Sequence, residues 1–358
     1  MKIHNFSAGP SILPQEVFDE ASVAVKDLNG SGLSILEISH RSKAFVDILD
    51  EAVSLVGELL KIGSEHKVLF LSGGASTQFA MVPLNFLNEG ASASYVDTGT
   101  WSAKAIKEAR AFGNINLLAS SKEDQYRHIP KGYDIPSGDA YLHITTNNTV
   151  YGTQFREIPS SPIPIVADMS SDIFSRPVDI NKYGLIYAGA QKNMGPAGTT
   201  LVVVREDMVG KAERHVPSMW NYKTHIAKNS SFNTPPVFPI YVSMLNLRWV
   251  RKNGGIEAME KRSMERAKLI YDEVDRNPLF TGTTQKEDRS RMNATFLLAD
   301  GYRNLEEEFL KQCKEAGISG IKGHRSVGGF RASMYNALKL ESVQLLVDVM
   351  RDLERRKG

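Results

Sequence analysis

Residues 184–199 read GLIYAGAQKNMGPAGT. The apolar run Gly184–Gly189 has the length and composition of a buried strand, and TTLVVV (199–204) supplies another. Lys192 stands between them, just beyond the first run and ahead of a glycine-rich return. That places a lysine at the carboxyl end of a central strand. Partial burial there lowers an amine's pKa and frees its lone pair, as a Schiff-base lysine requires. Taken alone, a solvated loop lysine is the better assignment. A phosphate-binding P-loop is a poor alternative, because GxxxxGK[ST] is absent.

Working outward, short β-rich runs alternate with helical spacing. KVLFLS (67–72), ASYV (93–96), INLL (115–118), AYLHIT (140–145) and IPIVAD (163–168) read as strands. Helices are expected near 77–87 and 103–112. Such alternation predicts an α/β fold with a mostly parallel central sheet covered on both faces. In these sheets ligands sit beyond the carboxyl ends of the strands. Upstream, helices are expected over 14–28 and 43–60, after an extended arm punctuated by Gly9-Pro10 and Pro14. Downstream, helices broken at Gly254-Gly255 lead into strand 294–299, helix 304–316, strand 329–335 and helix 341–355, a smaller α+β unit. The expected division is a large domain over 16–260 and a small one made of 1–15 and 261–358.

Four strand ends carry chemistry. Asp168 closes IPIVAD and suits a buried charge partner, or a helix cap. LSGGASTQF (71–79) ends a strand in Gly73-Gly74 ahead of a helix, where free N–H groups can meet a phosphate and Ser76 and Thr77 can add hydroxyls. Trp101 follows SYVDTGT and can stack on a flat group, or fill the core. Thr149, after AYLHIT, is barely a signal alone. Jointly they offer a phosphate nest, an aromatic plate, a carboxylate and a lysine. Those match the phosphate, ring face, pyridine nitrogen and aldehyde of pyridoxal 5'-phosphate (PLP).

Composition is compatible with this reading. The chain has 358 residues, 42% hydrophobic and 23% charged, enough for two cores. With 43 basic and 41 acidic residues the net charge is +2, too small a field to recruit nucleic acid or an anionic membrane. Cys313 is the one cysteine, so an intrachain disulfide and a Cys-rich zinc site are excluded, and no metal is expected. The N-terminus shows no apolar leader and no run reaches a membrane span, so a cytoplasmic protein is expected.

The chain resembles the class V, fold-type I PLP-dependent aminotransferases, within them the branch acting on phosphoserine. The landmarks are NFSAGPSILP (5–14), ISHRSKAF (38–45), ADMSSDIFSRPVD (167–179), YAGAQKNMGPAG (187–198), FNTPPVFPIY (232–241), NGGIEAMEK (253–261), RSRMN (289–293) and KGHRSVGGFRASMYNA (322–337). The resemblance implies that Lys192 carries PLP, Asp168 pairs with the ring nitrogen, Trp101 stacks, and Thr149 and Gln191 contact the ring. Ala75 and Ser76 would bind the phosphate, joined by Asn233 and Thr234 of the partner subunit in a homodimer. Some relatives carry glycine and arginine where Ala75-Ser76 stand. Phosphate binding here then leans on N–H groups and the helix dipole.

The implied substrates are L-glutamate with 3-phosphohydroxypyruvate and phosphoserine with 2-oxoglutarate, as in serine biosynthesis. 4-Phosphohydroxythreonine, of pyridoxine biosynthesis, presents the same two anions. Each substrate joins an α-carboxylate to a distal anion, and arginine grips both through bidentate geometry. By resemblance Arg331 holds the α-carboxylate. His40, Arg41, His324 and Arg325 form the distal pocket, the last two assigned to the partner chain. Read without the resemblance, these are surface charges near turns. Rival readings are a cysteine desulfurase, for which Cys313 in a helix is ill suited, and an alanine–glyoxylate aminotransferase, which needs no clustered His-Arg pairs. A cofactor-binding protein without turnover would not need Arg331. A nicotinamide dehydrogenase lacks its GxGxxG.

Overall fold

A computed structural model of the chain describes residues 2–357. In chain order the elements are β1 (His4–Asn5), α1 (Gln15–Lys26), α2 (Lys43–Leu60), β2 (His66–Leu71), α3 (Gly74–Phe86), β3 (Ser92–Asp97), α4 (Thr100–Ala109) and β4 (Asn114–Ser120). There follow β5 (Leu142–Thr145), β6 (Ile165–Asp168), β7 (Tyr183–Gly189), β8 (Thr200–Arg205), α5 (Tyr222–Ala227), α6 (Val237–Lys252) and α7 (Gly255–Arg276). The chain ends with β9 (Phe280–Gly282), β10 (Asn293–Leu298), α8 (Glu306–Glu315), β11 (Ile318–Ser319), β12 (Phe330–Ser333) and α9 (Leu340–Lys357).

The central sheet has seven strands in the order β2-β8-β7-β6-β5-β3-β4. All neighbours are parallel except β8, which runs antiparallel to both β2 and β7. The expected mostly parallel α/β sheet is therefore present. Strand alternation sorts side chains between two layers. Phe70, Ile186, Ala188, Leu201 and Val203 join the core under α2 and α6. Leu69, Leu71, Leu185, Tyr187, Val202 and Val204 join the core under α3 and α4. Both faces are buried, which is why these strands read as unbroken apolar runs.

A third core gathers Phe6 with apolar residues of α7, β9, β10, α8, β12 and α9. Its sheet is antiparallel, in the order β12-β10-β9. The N-terminal arm joins it where β1 pairs with β11 in parallel, His4 opposite Ile318. Cys313 is fully buried in α8, and burial pushes its thiol up to about 12.

Candidate active site

The parallel strands, and β2 which runs in their direction beyond antiparallel β8, end at one edge of the sheet, and the helices after β2 and β3 begin there. The start of α3 depends on Gly73. Its φ of +95° is left-handed, and a Cβ there would meet Thr77 Oγ1 at 2.0 Å. Thr77 Oγ1 instead donates to the Gly73 carbonyl at 2.9 Å. The helix thus begins at Gly74, three residues before its expected start, and Ala75 and Ser76 lie in its first turn with their amides free of intrahelical partners. At α4, Ser102 Oγ accepts from the amides of Thr98 and Gly99, both at 2.9 Å, and donates to Asp97 at 2.9 Å. That cap fixes Trp101 on the first turn.

Lys192 lies in the turn between β7 and β8. Its Nζ donates to Thr149 Oγ1 at 2.7 Å and sits 5.5 Å from the Trp101 ring centroid. Burial lowers its pKa to about 8 against the pull of Asp168, with Arg331 lowering it further. Asp168 is the last residue of β6, opposite Thr145 on one side and Tyr187 on the other. It is 4% exposed. Burial raises its pKa, while Lys192 and the Ser170 amide, which donates to Oδ1 at 2.9 Å, hold it down. Both groups are thus poised toward their neutral forms by burial and toward their ionic forms by each other.

Arg331 comes from β12, in the other core, and donates from Nη1 to the Thr149 carbonyl at 3.2 Å. Burial lowers its pKa as well. The N-terminal arm closes the remaining side. Ser11 N donates to the Gln191 carbonyl at 3.0 Å, and Ser11 Oγ donates to the Lys192 carbonyl. From the far side, Asn336 N donates to Asn193 Oδ1 at 2.9 Å. The turn bearing Lys192 is therefore gripped from both ends of the chain.

Lys192, Thr149, Trp101, Asp168 and Arg331 are brought together, with Gln191 beside them. His324, on the loop before β12, has its pKa lowered by burial and by the charges of Arg331, Arg325 and Lys104. His40 and Arg41 lie just ahead of Ser42, which caps α2 by accepting from Phe45 N. Asn233 and Thr234 precede α6, and Asn233 Nδ2 donates only to the neighbouring Thr234 carbonyl, at 3.2 Å. Among the described residues no hydrogen bond links these four to Lys192. Sequence reasoning missed Lys104, whose Nζ lies 4.5 Å from the Trp101 centroid. Its spacing from Trp101 along α4 was the available signal.

The description "Aminotransferase class-V" fits residues 3–346 of this chain. The chain belongs to the class-V aminotransferase family. It is 58% identical to the phosphoserine aminotransferase of Bacteroides thetaiotaomicron over 355 residues, covering 99% of each chain. Among solved structures, the phosphoserine aminotransferase of Bacillus circulans subsp. alkalophilus matches with a TM-score of 0.96 at 45% identity, covering 100% of this chain and 99% of that one. PLP-bound phosphoserine aminotransferase from Trichomonas vaginalis matches with a TM-score of 0.94 at 36% identity, covering 98% and 100%.

The residues present in this class-V aminotransferase fit PLP. A half-buried lysine with a lowered pKa stands near a buried carboxylate without forming an ion pair with it. Two buried donors, Trp101 Nε1 and Arg331 Nε, have no protein acceptor. Unpaired buried donors cost free energy unless a ligand satisfies them.

Proposed function

We infer that this chain is a PLP-dependent phosphoserine aminotransferase. It moves an amino group between glutamate/2-oxoglutarate and 3-phosphohydroxypyruvate/O-phosphoserine. The observation that carries the reading is Lys192 Nζ, held by Thr149 at 2.7 Å over Trp101 and flanked by Asp168 and Arg331.

When bound, PLP supplies an aldehyde for the amine and an electron sink for the bond at the substrate's Cα. The residues do the rest. Lys192, with a pKa of about 8, can hold or release a proton at Nζ near neutral pH. Asp168 would keep the ring nitrogen protonated, and Trp101 would cover the ring. Thr149 and Gln191 would contact the ring's polar edge. Ala75 and Ser76 would hold the phosphate through the free amides at the start of α3. Arg331 would hold the α-carboxylate, and its partnerless Nε suits that role.

The working form is a homodimer in the cytoplasm. Asn233 and Thr234 of the partner subunit would complete the phosphate site. His40, Arg41, His324 and Arg325 would take the distal anion, with a second chain closing the pocket. Support comes from large apolar residues left exposed in those segments. Leu36 is 63% exposed just before His40-Arg41, and Phe232 is 42% exposed just before Asn233. No helix among the described residues is long and apolar enough to cross a membrane. Residues 16–260 and the pairing of 1–15 with 261–358 would act as two domains, a division supported by the separate core that Phe6 shares with the C-terminal elements.

The test is glutamate formation from O-phosphoserine and 2-oxoglutarate, beside serine and alanine as donors. Lys192→Ala should abolish both turnover and the visible absorbance of lysine-bound PLP. A Lys192→Ala protein that kept both would end the assignment.

A further inference from the structure

Lys104 has no task in the reading above. It follows Trp101 by three residues on α4, so one helix face carries both. Its exposed side chain lays Nζ 4.5 Å from the Trp101 centroid, while Lys192 Nζ lies 5.5 Å from the same ring. The ring's electron-rich faces attract both ammonium groups. Lys104 also belongs to a wider group. The charges acting on His324 are Arg331, Arg325 and Lys104, all positive. Basic groups from three separate segments, the first turns of α4, the loop at 324–325 and β12, thus bear on His324. Like charges gathered this way repel unless an anion joins them. Meanwhile the turn at Ala75-Ser76 carries no cation of its own.

We propose that Lys104 is a specificity-determining residue, seated on the Trp101 ring, whose ammonium meets the second negative charge of a phosphorylated substrate. This rests on the phosphoserine reading and deepens it. A lysine is a compact point charge on a flexible stem, suited to a tetrahedral phosphate with several equivalent oxygens. The monoanionic side chain of glutamate is satisfied by the arginines and draws less from an exposed ammonium. One hydrogen bond to a charged group corresponds to roughly a tenfold to hundredfold change in a specificity constant.

The experiment uses holoenzyme carrying Lys104→Met, which keeps an unbranched stem over the indole. Single-turnover half-reactions are measured with O-phosphoserine, L-glutamate and L-serine, beside PLP content and inhibition of the glutamate half-reaction by inorganic phosphate. The expected result is an O-phosphoserine kcat/KM lower by roughly tenfold to a hundredfold. Glutamate should stay within about threefold, since it lacks the second charge. PLP content should be unchanged and phosphate inhibition weakened in proportion, and Lys104→Arg should restore most of the preference. Equal losses on both donors, or a parallel loss of PLP, would mean that Lys104 only seats Trp101. An unchanged O-phosphoserine constant would remove the proposal outright. If the unmodified enzyme itself shows no preference for O-phosphoserine over L-serine, the phosphoserine reading falls and this proposal with it.

Discussion

Lys192 Nζ donates to Thr149 Oγ1 at 2.7 Å, and the carbonyl of the same Thr149 accepts from Arg331 at 3.2 Å. One threonine therefore positions both the reactive amine and the arginine proposed for the α-carboxylate. Burial opposes the protonated lysine and brings the pKa to about 8, although the charge of Asp168 favours it. Below that value the amine is charged and unreactive; above it the amine is free. The rate at which apoenzyme captures PLP should rise with pH and level off above about 8, well short of the ordinary lysine value of 10.5. In Thr149→Val the ammonium loses an acceptor, so the inflection should move to lower pH. Stopped-flow absorbance against pH gives both curves, and an unmoved inflection would show that the bond does not stabilise the charged form.

Asp168→Asn should retain cofactor but lose rate in the chemical step by several orders of magnitude. A neutral amide cannot hold a ring nitrogen protonated as a carboxylate does. The alternative role, capping the turn through the Ser170 amide at 2.9 Å, would survive the change, since asparagine also accepts there. Single-turnover rates with O-phosphoserine separate the two. A loss of less than about tenfold would leave Asp168 as a cap.

Much of this site was legible because each apolar strand runs into its chemical residue without a gap: Asp168 closes β6, and Lys192 follows β7 by three residues. Burial on both sheet faces left no amphipathic ambiguity. The start of α3 was less legible. Glycine disfavours helix, yet left-handed Gly73 lets the helix begin at once, so Ala75 and Ser76 belong to its first turn. Lys104 reads as a solvated helix lysine until Trp101 is seen beneath it. His40, Arg41, Asn233 and Thr234 could not be joined to Lys192 from periodicity, because they stand in the irregular segments ahead of α2 and α6, away from the strand ends that carry the other groups.

Gly152→Ala should destabilise the protein by about 1–3 kcal/mol or more. Gly152 has a φ of +78°, and an added Cβ would meet Thr295 Oγ1 at 2.3 Å and the Asn293 carbonyl at 2.9 Å. Its carbonyl accepts from Ser290 N at 2.7 Å, and Thr295 Oγ1 donates to Tyr151 O at 2.9 Å. The loop bearing Thr149 is thereby docked against β10. Denaturant midpoints of the two proteins measure the loss, and activity should fall with it as Thr149 shifts.

Two inactive chains should rescue each other if sites form across a dimer. Lys192→Ala lacks the amine, and the double variant Asn233→Ala/Thr234→Ala lacks the groups proposed to cross over. Mixing them under exchange conditions should place one intact site in each heterodimer and restore part of the activity. Separate controls at the same concentrations set the baseline. Absence of recovery, with exchange verified by mass, would keep Asn233 and Thr234 within their own subunit.

The distal pocket should make O-phosphoserine preferred over serine by a wide margin, and Arg41 and Arg331 should contribute in different ways. Hydrogen bonds to charged groups are worth roughly 1.5–3 kcal/mol each, so two arginine contacts correspond to roughly a hundredfold to ten-thousandfold in specificity. Serine would also leave cations of the pocket unpaired. His324 adds less as a cation, because burial and the charges of Arg331, Arg325 and Lys104 all lower its pKa. A bound dianion would offset those charges and raise it again, so substrate binding should be accompanied by proton uptake at neutral pH. Arg331 is held by the Thr149 carbonyl near Lys192, where it is proposed to take the α-carboxylate that every amino donor carries. Arg331→Ala should therefore weaken serine, glutamate and O-phosphoserine alike. Arg41→Ala should spare serine and weaken the two donors with a distal anion. Specificity constants for the three donors across the two variants decide it. If Arg41→Ala lowered serine as much as O-phosphoserine, Arg41 would not be reading the distal anion, and its place beside the α2 cap would be the whole of its role.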